Sequence, residues 1–142
     1  HSQFDHGQIS RAKKVSSREP IHINPRDAAE RNLKNGDVVQ VKNARGACLA
    51  GVVIDNALRD GVVQMSTGAW YDPEDPSKPN SICKHGNPNV LTRDKGTSKL
   101  GQGPTAHTCM VQVDLYQKLP PSVTAHEPPE ILRIEITKHK EK

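Results

Sequence analysis

The apolar residues of this chain come in short alternating runs, each cut off within a few residues by Gly, Pro, Asn or Asp. Alternation with period two places every second side chain on one face of a strand, so the pattern favours several short strands over long helices. Ile21-His22-Ile23 is the first such run. Asp37 to Ala44 carries Val38, Val39, Val41 and Ala44 among polar residues, Ala44-Arg45-Gly46 is a natural turn, and Ala47 to Ile54 is a second apolar stretch. These two read as a β-hairpin. Val62–Thr67, Met110–Tyr116 and Ile131–Ile136 continue the series. One helix interrupts it. Asn24 is an N-cap, Pro25 suits the first helical position, and Arg26–Arg31 should form a two-turn helix ending near Lys34-Asn35-Gly36. Hydrophobic residues make up 33% of the chain and aromatics 3%, so the core is modest and strand ladders must supply much of the order. The expected fold is mainly β, a small barrel with one or two short helices and long loops.

A length of 142 residues suits one domain. Residues 1–19 are polar and basic without apolar periodicity and read as an arm; residues 20–118 hold the barrel; residues 119–142 form an extension bounded by Pro120-Pro121 and Pro128-Pro129, with a charged tail. The stretch from Tyr71 to Gly103 is rich in Pro, Gly, Asn, Ser and Lys, a long loop of the kind that is usually functional or disordered. The net charge is +4, yet Lys and Arg are interspersed with Asp and Glu, and one Phe, two Tyr and one Trp cannot build a base-stacking platform. A phosphate-bearing small molecule fits the same charge equally well. Cys48, Cys83 and Cys109 lack any C-x-x-C spacing, so buried thiols are expected rather than disulfides or zinc. Cys83-Lys84-His85 offers too few ligands for a metal, and the seven histidines are expected to be mostly exposed. No apolar run is long enough to cross a bilayer.

Several words of the sequence share an order with one family. His1-Ser2-Gln3 is followed by Asn24-Pro25 with Asp27-Ala28-Ala29, by Asn35-Gly36-Asp37-Val38-Val39, and by Asn43-Ala44-Arg45-Gly46. Further on stand Thr67-Gly68-Ala69-Trp70-Tyr71-Asp72-Pro73, Gly86-Asn87-Pro88-Asn89-Val90-Leu91-Thr92 and Gly96-Thr97-Ser98. Taken together these resemble the final domain of molybdenum oxidoreductases of the dimethyl-sulfoxide-reductase superfamily, nearest the biotin sulfoxide and trimethylamine N-oxide reductases. The resemblance covers most of residues 1–118 and fades from Pro120 onward.

What the resemblance implies is a six-stranded double-psi β-barrel that forms one side of a site for bis(molybdopterin guanine dinucleotide). The molybdenum and its protein ligand would belong to preceding domains of the parent reductase, which acts on an S-oxide or N-oxide. A cytoplasmic location is expected, with the periplasm as the alternative. The residue chemistry suits that task. A pterin joined to guanine through a diphosphate needs groups that donate and accept together, and Asn87, Asn89 and Gln102 offer such amides. His1, Ser2 and Gln3 add a polar cluster, Trp70 and Tyr71 are candidate lining residues, and Gly86, Gly96, Gly101 and Gly103 would let backbone approach a ligand. Simpler roles compete. Asn and Gly also form turns, and Trp70 could be a packing anchor. Two other functions fit the same barrel: an autonomous nucleotide- or phosphometabolite-binding module, and a structural plug between domains. No positioned acid–base pair is visible, so the isolated, cofactor-reconstituted chain is expected to show no reductase activity with any electron donor; turnover of an S-oxide by it would contradict this.

Overall fold

The structure, a computed structural model, describes residues 2–103, 105 and 108–128. Its helices are α1 (Gln8–Lys13) and α2 (Pro25–Glu30), and its strands are β1 (Pro20–Ile23), β2 (Val38–Lys42), β3 (Ala47–Ile54), β4 (Val63–Met65) and β5 (Gln112–Leu115). The strands form one five-stranded sheet in the order β4-β1-β3-β2-β5. Only β1 and β3 run parallel; the other neighbours are antiparallel. The fold is therefore mainly β with a mixed sheet, and among the described residues the sheet does not close into a barrel. The sixth alternating segment, Ile131–Ile136, lies outside the described residues.

Local chemistry accounts for the elements that the sequence specifies. The Asn24 side chain accepts a hydrogen bond from Arg26 N at 2.8 Å, and Pro25 opens α2 where no backbone donor is needed. The helix stops sooner than the pattern suggests. Asn32 adopts φ 54, and the bonds Leu33 N to Ala28 O (2.9 Å) and Asn32 N to Ala29 O (3.1 Å) close it in a Schellman arrangement. Asn is one of few residues that tolerate this left-handed backbone, and it drives Leu33 into the core. The expected hairpin forms with Val38 opposite Gly51 and Lys42 opposite Ala47. In that register Val39 and Val41 join Ile21, Ile23, Cys48, Ala50, Val52 and Val113 in one buried cluster. Each full Val or Ile burial contributes about 1.5–3 kcal/mol before the cost of ordering.

The sides of β3 explain where the polar segments go. One of its edges pairs with β2, and the other is divided: β1 takes Gly51 to Ile54, while Cys83 bonds to Ala47 O (3.0 Å) and receives Leu49 N (2.8 Å). The Tyr71–Gly103 stretch is thus an ordered loop that packs into the core, because Cys83, His85 and Leu91 are buried within it. Gly86 also departs from its expected role: a Cβ there would lie 2.8 Å from Glu19 Cβ and 3.0 Å from Leu49 O, so its bareness admits the protein's own backbone. Residues 2–19 are more than an arm. They contain a 3-10 turn, Ser2–Phe4, and α1, and they bury Asp5, Arg18 and Glu19. As expected, Cys48 and Cys83 are buried free thiols. Burial, with Cys83 and Cys109 nearby, pushes the Cys48 thiol up to about 12, which leaves it inert. No helix among the described residues is long and apolar enough to cross a membrane.

Residues 15–19 lie so close to β3 that a Cβ on Gly51 would meet Val15 Cβ at 2.4 Å and Val15 O at 2.6 Å. Gly51→Ala should therefore destabilise the chain by about 1–3 kcal/mol. Urea denaturation would show a lower midpoint at unchanged slope; an unaltered midpoint would contradict this packing.

Candidate functional site

A groove of about 390 Å³ opens beside the end of β4, lined by Thr67, Gly68, Ala69, Trp70, Tyr71, Asn87 and Asn89. Four of the residues selected from the sequence, Trp70, Tyr71, Asn87 and Asn89, therefore meet at one place. Two separate segments bring them there. The first leaves β4 after Met65 and passes through Gly68, whose φ of 119 suits glycine. The second is the 3-10 turn Pro88–Leu91, capped by Asn87, whose Oδ1 accepts from Asn89 N at 2.9 Å. The β2–β3 turn anchors it: Asn43 Nδ2 (2.8 Å) and Arg45 Nε (2.7 Å) both donate to Leu91 O. Asn87 is thus a turn-former, the simpler of its two roles, yet its Nδ2 and the side-chain amide of Asn89 have no hydrogen-bond partner among the described residues.

No lining residue carries a formal charge at neutral pH. Neutral amides, a hydroxyl and two aromatic side chains that remain partly exposed, Trp70 and Tyr71, suit the edge and face of a heterocycle better than a phosphate.

Behind the groove lies a buried charged cluster that the sequence did not announce. Asp5 is 3% exposed. Its Oδ1 receives Lys14 Nζ at 2.6 Å, and Lys14 also pairs with Glu19. Its Oδ2 receives Trp70 N at 3.2 Å and His126 Nε2 at 3.0 Å. On the other side of the same residue, His85 Nδ1 lies 3.3 Å from Trp70 O. A carbonyl only accepts, so Nδ1 carries the proton and Nε2 keeps its lone pair, which has no partner among the described residues. Trp70 is thereby held at both of its backbone polar groups. Burial pulls the Asp5 carboxyl upward, but hydrogen bonds from Lys14, His126 and Trp70 N, with the charge of His85, outweigh it and hold the group below its ordinary value. Burial, then the Lys14 charge, push His85 down against the pull of Asp5.

The remaining selected residues fall elsewhere. Gln102 sits in a turn at φ 44, its Nε2 donating to Lys99 O at 3.2 Å, and it does not line the groove. Gln3 is exposed on the first 3-10 turn, two residues ahead of Asp5. Ser2 is described in its backbone only, and His1 lies outside the described residues. The expectation that histidines are mostly exposed fails at His85, which is fully buried because its segment pairs with β3. Asp5, His85 and His126 also place three ligand atoms within 4.8 Å of one another, a spacing compatible with a metal. Lys14 already provides the positive charge that Asp5 needs, so the cluster is electrostatically complete as it stands.

Residues 1–110 match the family described as "Molydopterin dinucleotide binding domain". The chain is 46% identical over 125 residues to Trimethylamine-N-oxide reductase 1 of Escherichia coli K12, covering 87% of this chain and 15% of that protein. It is 41% identical over 129 residues to the dimethyl sulfoxide/trimethylamine N-oxide reductase of Cereibacter sphaeroides, covering 91% and 16%. Its fold is similar to that of acetylene hydratase from Pelobacter acetylenicus, with a TM-score of 0.60 at 16% identity over 81% of this chain and 16% of that one. The chain spans about 15% of the length of the reductases it matches.

The buried cluster makes stability depend on pH. His85 is depressed below 6.5, so its contribution is fully present above that value and is lost as pH falls through the lower folded one; Asp5 behaves likewise below 3.8. Lowering pH from about 8 to about 5 should reduce the melting temperature of the wild type more than that of His85→Leu. Equal losses in the two proteins would contradict the assignment.

Proposed function

Because the chain belongs to the molydopterin dinucleotide binding domain family, we propose that it forms part of the bis(molybdopterin guanine dinucleotide) site of a longer S-oxide or N-oxide reductase. The observation that carries this reading is the convergence of Trp70, Tyr71, Asn87 and Asn89 on one uncharged groove. When bound, the cofactor supplies two-electron, two-proton removal of an oxygen atom from the substrate. The residues of this chain bind and orient. Asn87 Nδ2 would donate to an acceptor on the guanine or pterin edge, the Asn89 side chain would both donate and accept, and the rings of Trp70 and Tyr71 would wall the heterocycle. The diphosphate falls to backbone donors and to cations outside the groove, since no Lys or Arg lines it. The assignment of His1, Ser2, Gln3 and Gln102 to the same ligand rests on the order of the motifs alone. Metal ligation belongs to the preceding domains of the parent.

The finer fold assignment belongs to the same proposal. A six-stranded double-psi barrel is supported by the match of residues 1–110 to the family and by the mixed five-stranded sheet. The arm of residues 1–19 and the extension from 119 would then flank a barrel of residues 20–118.

Asn87 separates binding from folding. Asn87→Asp retains the oxygen that caps the turn but replaces the Nδ2 donor, whereas Asn87→Ala removes both. In the parent enzyme, Asn87→Asp and Asn89→Ala should lower cofactor retention by a factor of about five to 150, the equivalent of about 1–3 kcal/mol for an unsatisfied polar edge, with the melting temperature of the domain nearly unchanged. Gln102→Ala should have the smallest effect of the selected amides. Guanine nucleotide measured per folded molecule decides it; full occupancy in both Asn variants would sink the assignment.

A further inference from the structure

The extension beyond residue 118 lies past the family match, which ends at residue 110, yet polar side chains from three distant segments tie it back across the domain. The buried Arg18 guanidinium donates to Pro121 O and, at 2.7 Å, to Ser16 O. The buried Asp72 receives Thr124 N at 2.7 Å and Thr124 Oγ1 at 2.8 Å, while Lys84 Nζ lies 3.3 Å from Asp72 and donates to Thr124 Oγ1 at 3.0 Å. The third tie is His126, whose Nε2 reaches Asp5 Oδ2 at 3.0 Å.

We propose that residues 119–128 are a strap belonging to the cofactor site, and that His126 is a positioning residue that fixes the Trp70 ring at the groove. The proposal rests on the reading of the groove as the dinucleotide site. Its geometry is specific. The Asp5 oxygen that His126 bonds is the one that receives Trp70 N, so strap and groove wall share one buried acceptor. The His126 ring meets the Trp70 ring edge-on with centroids 5.2 Å apart, and also stands 5.0 Å from His85 and 4.9 Å from His6. Trp70 is 37% exposed, and a large, partly exposed ring keeps a single orientation only where neighbours confine it. Confining it before the ligand arrives spares the complex that ordering cost. The clasp of Asp72 and Lys84 on Thr124 sets the strap at the right register, because Thr124 stands two residues ahead of His126.

Trp70 is the only tryptophan of the 142 residues, so its fluorescence in this chain reports the groove wall alone. His126→Ala should raise acrylamide quenching of Trp70 about two-fold, and in the parent enzyme lower the guanine nucleotide retained per folded molecule about five-fold, one hydrogen bond's worth. His126→Gln, which can still donate to Asp5, should recover part of both. Unchanged quenching and retention in His126→Ala would overturn the proposal, as would lost retention with unchanged quenching. Should His126→Ala fail to fold, His126→Phe keeps the ring edge, drops only the bond to Asp5 and is judged on the same two readouts. Asn87→Asp isolates the underlying reading. If it retains full cofactor, the groove assignment fails; if it loses cofactor while His126→Ala does not, only the strap fails.

Discussion

Burying a carboxylate without compensation costs several kcal/mol, and Asp5 meets that demand with Lys14 and two further donors. Much of the domain's arrangement follows from this. Lys14 reaches Asp5 only if residues 5–14 fold back on themselves, which α1 accomplishes. Its second partner, Glu19, is fixed in turn by backbone bonds to Gly51 N (3.1 Å) and from Glu19 N to His85 O (2.9 Å). The ion pair thus fastens the N-terminal segment to β3 and to the segment carrying His85, and sets Asp5 Oδ2 where it meets Trp70. Removing one partner of such a pair generally costs more than the pair contributes, because the other charge stays buried.

The groove itself is chemically plain beside that cluster. With no charged residue in its lining, the proposed reading makes recognition of the ring and of the diphosphate separate tasks, done by different residues. The division also keeps Lys14 and Lys84 occupied with Asp5 and Asp72, so neither ammonium competes for a ligand at the wall. On the proposed reading, what this chain contributes is position.

Phe4, Ile9, Leu100, Met110 and Leu119 are largely exposed. Scattered exposed apolar residues are ordinary.

Sequence alone determined the parts that depend on near neighbours: the Asn24 cap, the Ala44-Arg45-Gly46 turn, the hairpin around it, and the runs that became β1, β4 and β5. It also marked four groove residues through ordered motifs, although spacing alone could not say that Trp70 and Asn87 meet while Gln102 stays apart. Tertiary structure decided the rest. Asp5 and His126 are 121 positions apart, and His85 follows Trp70 by 15, so no local periodicity joins them. By composition residues 1–19 read as an arm and 71–103 as a long loop, because a buried charge is recognisable only once its partner is known. Those partners come together through the divided edge of β3, which takes up β1 and Cys83 side by side and so turns two polar segments inward to satisfy each other.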